Sequence, residues 1–297
     1  MNTLLKAALT ATLLFSAADS TAAKKGSDDK SMFNSGTFLS MKMRNIGPAY
    51  MSGRIADIAV DQNNPSTWYT AVGSSGVWKT VNAGTTWTPI FDKQSVYSTG
   101  DVTIDPSNSN IIWVGTGENN GGRHISFGDG VYKSIDGGKT WKNMGLKESE
   151  RISDIIIHPT NSNIVWVSAQ GPLWTSGGER GLYKTTDGGA TWKQVLKPAD
   201  EWTGVTSLLI DPRNPDRLYA ATWSRQRTIA SYVGTGPGAG IHTSTDGGET
   251  WTELKTGLPA GNMGKIGMAI SPTNPDVLYA TIETDNRKGG FYRSENQ

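Results

Sequence analysis

Three glutamates stand where loop chemistry would be expected: Glu118 in Glu118-Asn-Asn-Gly-Gly-Arg-His124, Glu179 beside Arg180, and Glu283 near the end of the chain. Hydrolysis of a glycosidic bond requires two carboxyl groups about 5–10 Å apart, so any pair of these would serve if their loops converged. Spacing in sequence leaves that open, and a solvated loop carboxylate is the alternative. Around them lie groups suited to recognition: Arg123 and His124, Trp174, Arg180, and then Trp223, Arg225, Arg227 and Tyr232 in one long segment. Aromatic faces stack on sugars or extended peptides, and guanidinium forks grip carboxylates. The same Arg and Trp side chains can equally pack against neighbouring structure.

Metal and cofactor chemistry finds less support. With no Cys there are no thiolate ligands, disulfides or cysteine nucleophiles, and His124, His158 and His242 stand alone without paired ligand spacing. Asp57, Asp101 and Asp154 recur at one place in successive repeat units, so they should line a common ring. Such a ring either holds a cation through its oxygens or hydrogen-bonds from one unit to the next. The Gly-Gly pairs sit in hairpin turns rather than between a strand and a helix, which argues against a phosphate loop. No cofactor is expected.

The elements that must position these residues are announced by a repeat. Ser134-Ile-Asp-Gly-Gly-Lys-Thr-Trp141, Thr185-Thr-Asp-Gly-Gly-Ala-Thr-Trp192 and Ser244-Thr-Asp-Gly-Gly-Glu-Thr-Trp251 superpose, and Thr80-Val-Asn-Ala-Gly-Thr-Thr-Trp87 is a weaker copy. An independent marker, such as Asp105-Pro-Ser-Asn108, His158-Pro-Thr-Asn161 and Asp211-Pro-Arg-Asn-Pro215, lies between two apolar strands in each unit. Two markers in step over about 50 residues imply strand, Pro-Asn turn, strand, variable loop, strand, Asp-box turn, strand, which is a propeller blade. The expected fold is therefore all-β: a β-propeller of four-stranded antiparallel blades at roughly 41–95, 96–146, 147–199 and 200–260, with part of a fifth at 261–297. An open edge after that partial blade would be a liability, so further blades of a longer chain are an expected partner.

The boxes themselves have a mechanical explanation. Asp136, Asp187 and Asp246 can accept amide hydrogens of their own turns, paired glycines supply unusual backbone angles, and Trp87, Trp141, Trp192 and Trp251 can pack between sheets. These aspartates are accordingly structural rather than catalytic. Both repeated turns should fall on one face of the disc and the variable loops on the other, where function is expected.

Composition limits the partners. A balance of 28 basic against 27 acidic residues leaves no electrostatic footprint for nucleic acid or an anionic membrane. Lys6, an apolar stretch over 7–18 and the small residues Thr21, Ala22 and Ala23 read as a signal peptide over 1–23, with a flexible leader over 24–40. The apolar stretch is too short to span a bilayer, so export to the periplasm or the exterior is expected.

With the boxes in place, the chain resembles the Asp-box repeat propellers of the sortilin/VPS10 and xyloglucanase group. It is most similar to secreted bacterial sortilin-like or glycosyl-hydrolase-like repeat proteins, through Arg44-Asn-Ile-Gly-Pro48, Gly53-Arg-Ile55 and Gly76-Val-Trp-Lys-Thr80. The resemblance covers residues 43–297 and specifies fold better than activity. Its xyloglucanase branch matches around 69–78, but the catalytic aspartate that this likeness implies would fall on Gly73. Sialidases share the box, yet Arg44-Asn-Ile-Gly-Pro48 only loosely echoes their Arg-Ile-Pro motif. The expectation is an exported, non-catalytic scaffold that binds peptide, protein or glycan. The alternatives are a secreted glycoside hydrolase, or a structural module within a larger envelope or secreted protein.

Overall fold

The computed structural model describes residues 54–297. The expected signal peptide and leader, and the opening motif at Arg44 to Pro48, lie outside the described residues.

Runs such as Ile111-Ile-Trp-Val114 and Ile164-Val-Trp-Val167 are β-branched and aromatic, which suits a pleated surface covered on both sides. They form the second strands of a repeated antiparallel sheet. The first sheet comprises Ile55–Val60, Trp68–Val72, Gly76–Thr80 and Thr88–Pro89; the second comprises Thr99–Asp105, Asn108–Thr116, Val131–Ser134 and Lys142–Asn143. The third comprises Ile152–His158, Asn161–Ala169, Gly181–Thr185 and Lys193–Leu196, and the fourth Thr203–Asp211, Asn214–Ser224, Gly240–Ser244 and Thr252–Leu254. A fifth sheet has three strands, Met263–Ile270, Leu278–Thr284 and Gly290–Ser294. Each strand pairs with the next in sequence, and the first strands of successive sheets pack on one another, so the sheets fan about an axis as propeller blades. The one helical segment among the described residues is a single 3-10 turn, Lys147–Ser149.

The cores lie between sheets. Tyr69, Val77 and Phe91 of the first sheet and its exit pack on Val102, Ile112 and Tyr132 of the second; Trp113 and Val131 pack on Ile155 and Val165 of the third. Trp166 and Leu182 then meet Leu208 and Leu218 of the fourth. Each such side chain contributes about 1.5–3 kcal/mol by leaving water. Two polar devices reinforce the junctions. The indole of Trp141 donates to Ile90 O (2.9 Å) and that of Trp192 to Met144 O (2.8 Å), each reaching the residue just after the preceding sheet's last strand. Lys79 donates to Gly137 O (3.0 Å) and Lys133 to Gly188 O (3.1 Å), tying a third strand to the next sheet's turn. Trp251 instead donates to Gly248 O in its own turn.

In each Gly-Gly turn the aspartate gathers local donors. Asp136 accepts from Lys139 N, Thr140 N, Thr140 Oγ1 and Ser134 Oγ, and Asp246 repeats the set with Glu249, Thr250 and Ser244. These bonds favour the ionised form, lowering Asp136 to about 2 and pulling Asp187 and Asp246 down as well. The first glycine of each turn donates to the Pro-Asn turn of its own sheet, for example Gly188 N to Asn163 O (2.9 Å). Both repeated turns therefore share a face, and the loops after each second strand occupy the other.

Candidate functional site

On the variable-loop face the 118–124 loop crosses toward the fourth and fifth sheets. At its start, Glu118 is 4% exposed, with both carboxyl oxygens accepting from Arg54 and one also from Asn120 Nδ2 (2.8 Å). Arg54 also contacts His124 Nε2, so Glu118 and His124 are joined through one guanidinium 64 and 70 residues away. Arg54 stands immediately before the first strand, whose opening residue Ile55 pairs with Val72 at the end of the second. Its pKa rises, chiefly through the bond to Glu118.

Gly73 explains how Glu118 reaches this spot. A Cβ built on Gly73 would lie 2.8 Å from the Glu118 Cδ and Oε2, so the carboxyl group occupies the space that a side chain at Gly73 would take. The position where resemblance implies a catalytic aspartate thus has a carboxylate beside it, delivered by the neighbouring sheet.

The remaining candidates divide into those joined to this centre and those apart from it. Arg225 donates to Asn120 O (2.6 Å), Arg227 to Gly121 O (2.6 Å) and Arg123 to Ile229 O (3.1 Å), so the second and fourth sheets' loops are interlocked. Tyr232 lies against Gly121 with the Arg227 guanidinium 4.6 Å from its ring centre. Glu283 is exposed on the fifth sheet; its carboxylate charge acts on the Tyr232 hydroxyl. Glu179 is elsewhere: it accepts from Glu148 N (2.9 Å) on the connection into the third sheet, where burial raises its pKa. Trp174, on the 170–180 loop, is 41% exposed and free for stacking.

Arg180, Trp223 and Arg225, read from sequence as ligand-facing, are each no more than 2% exposed. Arg180 donates to the carbonyls of Gln170, Pro172, Thr175 and Gly177, organising its own loop, and the Trp223 indole donates to Gly234 O (2.7 Å). The physical reason is that Trp223 belongs to a strand, Asn214–Ser224, and that long loops without apolar cores are held by buried guanidiniums.

The aspartate ring forms as a chain of inter-sheet bonds. Asp57 accepts from Val102 N (3.2 Å), Asp101 from Ile155 N and Asp154 from Leu208 N (2.9 Å), each one sheet ahead. Burial, reinforced by the neighbouring carboxylates, raises Asp101 well above its usual value and Asp154 to about 7. Among the described residues no group of three or more His, Asp or Glu is arranged to hold a metal ion. The histidines are dispersed: His158 stacks on Trp166, and His242 lies in the fourth sheet.

Sequence reasoning missed Arg54, Arg151 and Lys265, and the exposed aromatics Tyr97 and Phe127 of this face. One signal was available: Arg54-Ile-Ala-Asp57 and Arg151-Ile-Ser-Asp154 open two sheets with the same Arg-Ile-x-Asp pattern.

Fold and loop face together define a β-propeller with an interlocked, cation-rich mouth. The chain belongs to the Sortilin-Vps10 family (sortilin, neurotensin receptor 3), which matches residues 129–288. It is 24% identical over 273 residues to a protein of Neosartorya fischeri described as a probable oligoxyloglucan-reducing end-specific xyloglucanase, covering 77% of this chain and 31% of that one. A xyloglucanase of Paenibacillus is 26% identical over 198 residues, 66% of this chain and 17% of the relative. Among solved structures, an ancestral GH74 enzyme superposes with a TM-score of 0.62 at 24% identity, covering 83% of this chain and 30% of that chain. The chain thus spans about a third or less of the length of these relatives.

Proposed function

We propose that this chain belongs to an exported, carbohydrate-active propeller that hydrolyses a polysaccharide lying across the variable-loop face, with Glu118 as a working carboxylate. The observation that carries this reading is the Glu118 carboxyl group filling the side-chain space of Gly73, at the end of the second strand of the first sheet. The curated relatives named xyloglucanases support it over recognition alone. A carboxylate gripped by Arg54 suits a base or an electrostatic stabiliser better than an acid. Glu283, across Tyr232, is the candidate for the second carboxyl group. Export follows removal of residues 1–23, and the blades divide near 95, 146, 199 and 260.

In the full-length protein, assayed for reducing-end release on a panel that includes xyloglucan, Glu118→Gln should lower kcat by about 10²–10⁴-fold. Binding should change by only a few-fold. Unaltered turnover in that variant would sink the assignment. A second reading, recognition without hydrolysis, is favoured by the engagement of both Glu118 oxygens with Arg54. It predicts tight glycan or peptide binding with no product from the wild-type protein.

A further inference from the structure

Three cations from the fourth and fifth sheets take three successive carbonyl oxygens of the 118–124 loop. Lys265 Nζ donates to Asn119 O (2.9 Å), Arg225 Nη1 to Asn120 O (2.6 Å) and Arg227 Nε to Gly121 O (2.6 Å). A neutral carbonyl carries only a partial charge, so the three bonds of this strap leave most of the cations' charge uncompensated, Glu118 being the carboxylate whose charge acts on Lys265.

Beneath the strap the excess deepens. Arg151, Arg180 and Arg225 are at most 2% exposed, and the one ion pair any of them makes among the described residues is Arg151 with Glu150 (2.7 Å). Burial and the charges of Arg151 and Arg180 push the Arg225 pKa well down, the signature of a cation lacking a counter-ion. Arg180 is saturated by carbonyls. Arg151 and Arg225 are not: the Nε–H of each is buried without a partner, as is Oε1 of Gln170, whose backbone joins the group through Gln170 N to Arg151 O (2.9 Å) and Arg180 Nη1 to Gln170 O (2.8 Å). Two buried guanidinium donors without partners add positive potential beneath the mouth, which an anion at its surface would answer.

Aromatic faces stand interleaved with these cations. The Trp223 ring has Arg225 on it at 5.1 Å and Lys265 at 5.3 Å, Arg227 lies 4.6 Å from the Tyr232 ring centre, and Tyr97, Phe127 and Trp174 are exposed on the same side. Trp223 itself is buried, and the exposed rings of Tyr97, Phe127, Trp174 and Tyr232 are the ones able to stack on sugar faces, while guanidinium forks take carboxylates.

We propose that the mouth where Arg227 and Lys265 reach the surface above the buried Arg151 and Arg225 binds a carboxylate-bearing saccharide, a uronic acid unit of an acidic polysaccharide, whose carboxylate supplies the counter-charge that the loop carbonyls do not. This rests on the saccharide reading of the face and names its substrate class: a neutral glucan would leave the cation excess unanswered.

The test is titration calorimetry of the full-length protein at low salt with an oligogalacturonate and with a neutral xyloglucan oligosaccharide of similar length. The acidic ligand should bind at least about tenfold tighter, with affinity falling as salt rises. Arg225→Met should erase the preference; if that variant does not fold, Arg227→Gln, nearer the surface, should reduce it several-fold. As a second readout, sodium glucuronate should raise the thermal midpoint of the wild-type protein above that in glucose with matched sodium chloride. Equal or tighter binding of the neutral oligosaccharide overturns the inference but leaves the hydrolase reading intact. Polyglutamate binding as tightly as oligogalacturonate overturns the saccharide assignment, and binding of neither saccharide removes the reading beneath it.

Discussion

At Ala83 the backbone holds a φ of 51°, in the turn where the other three boxes place Gly137, Gly188 and Gly247 at 71–72°. A Cβ in the left-handed region is crowded against its own carbonyl, so this first turn carries strain that its homologues avoid. Asn82, replacing the aspartate, still accepts from Thr86 N (2.9 Å) and Thr80 Oγ1 (2.9 Å), and it donates to Thr86 Oγ1. The hydrogen-bonded frame is therefore intact and the defect is the alanine. Ala83→Gly should raise stability by about 0.5–1 kcal/mol, offset in part by glycine's greater freedom when unfolded, and urea unfolding would measure it. A loss of stability would mean that the turn is held by something other than backbone angle.

Among elements, the junctions between sheets recur with small variations. In the first two junctions a third-strand lysine lies over a second-strand aromatic, Lys79 over Tyr69 at 5.1 Å and Lys133 over Trp113 at 4.9 Å, and then donates to the next sheet's turn. Lys184 keeps its place over Trp166 but reaches Glu249, and the fourth sheet has Thr243 there. Lys133→Met preserves the aliphatic stem while deleting the charge and the bond to Gly188 O. It should cost about 1–2 kcal/mol by thermal or urea unfolding, whereas Lys142→Met, on an exposed outer-strand position, should cost little. Equal effects would place the stability of the junction wholly in its apolar contacts.

Over the whole molecule, the carboxylates at the axis and those in the turns respond to pH in opposite directions. Asp101 and Asp154 have folded-state values raised above the ordinary 3.8, Asp154 to about 7. The folded protein thus holds their protons more tightly than the unfolded chain does. Their contribution is complete below about pH 4 and is lost as pH rises through 7. The turn aspartates are lowered, so theirs is complete above about pH 4 and is lost as pH falls toward 2. Stability should peak in mildly acidic solution. Asp101→Asn should flatten the loss between pH 4 and 8, read as urea midpoints across that range. An unchanged slope would show that the ring does not hold a proton. Between the fourth and fifth sheets lies a cleft lined by Tyr219, Leu254, Met268 and Tyr292. Leu254 there stands three residues after its box tryptophan, as Ile90 and Met144 stand after theirs, and those two receive the indoles of Trp141 and Trp192.

By itself the sequence determined everything that depends on neighbours a few residues apart: strand alternation, the Pro-Asn and Gly-Gly turns, and the period that makes blades. Those features rest on backbone sterics and short-range hydrogen bonds, which a chain carries in any context. The turn aspartates belong here, since all their donors lie within four residues. Tertiary structure alone decided which side chains meet at the mouth. Glu118 finds Arg54 and the vacant side of Gly73, Arg225 finds Asn120 and Lys265 finds Asn119, across 64 to 146 residues. Such meetings depend on how far each sheet rotates from the last, and that rotation is set by indole and aliphatic packing summed over all the junctions. For the same reason Trp223 and Arg225 read as open loop residues in the sequence and are buried in the fold.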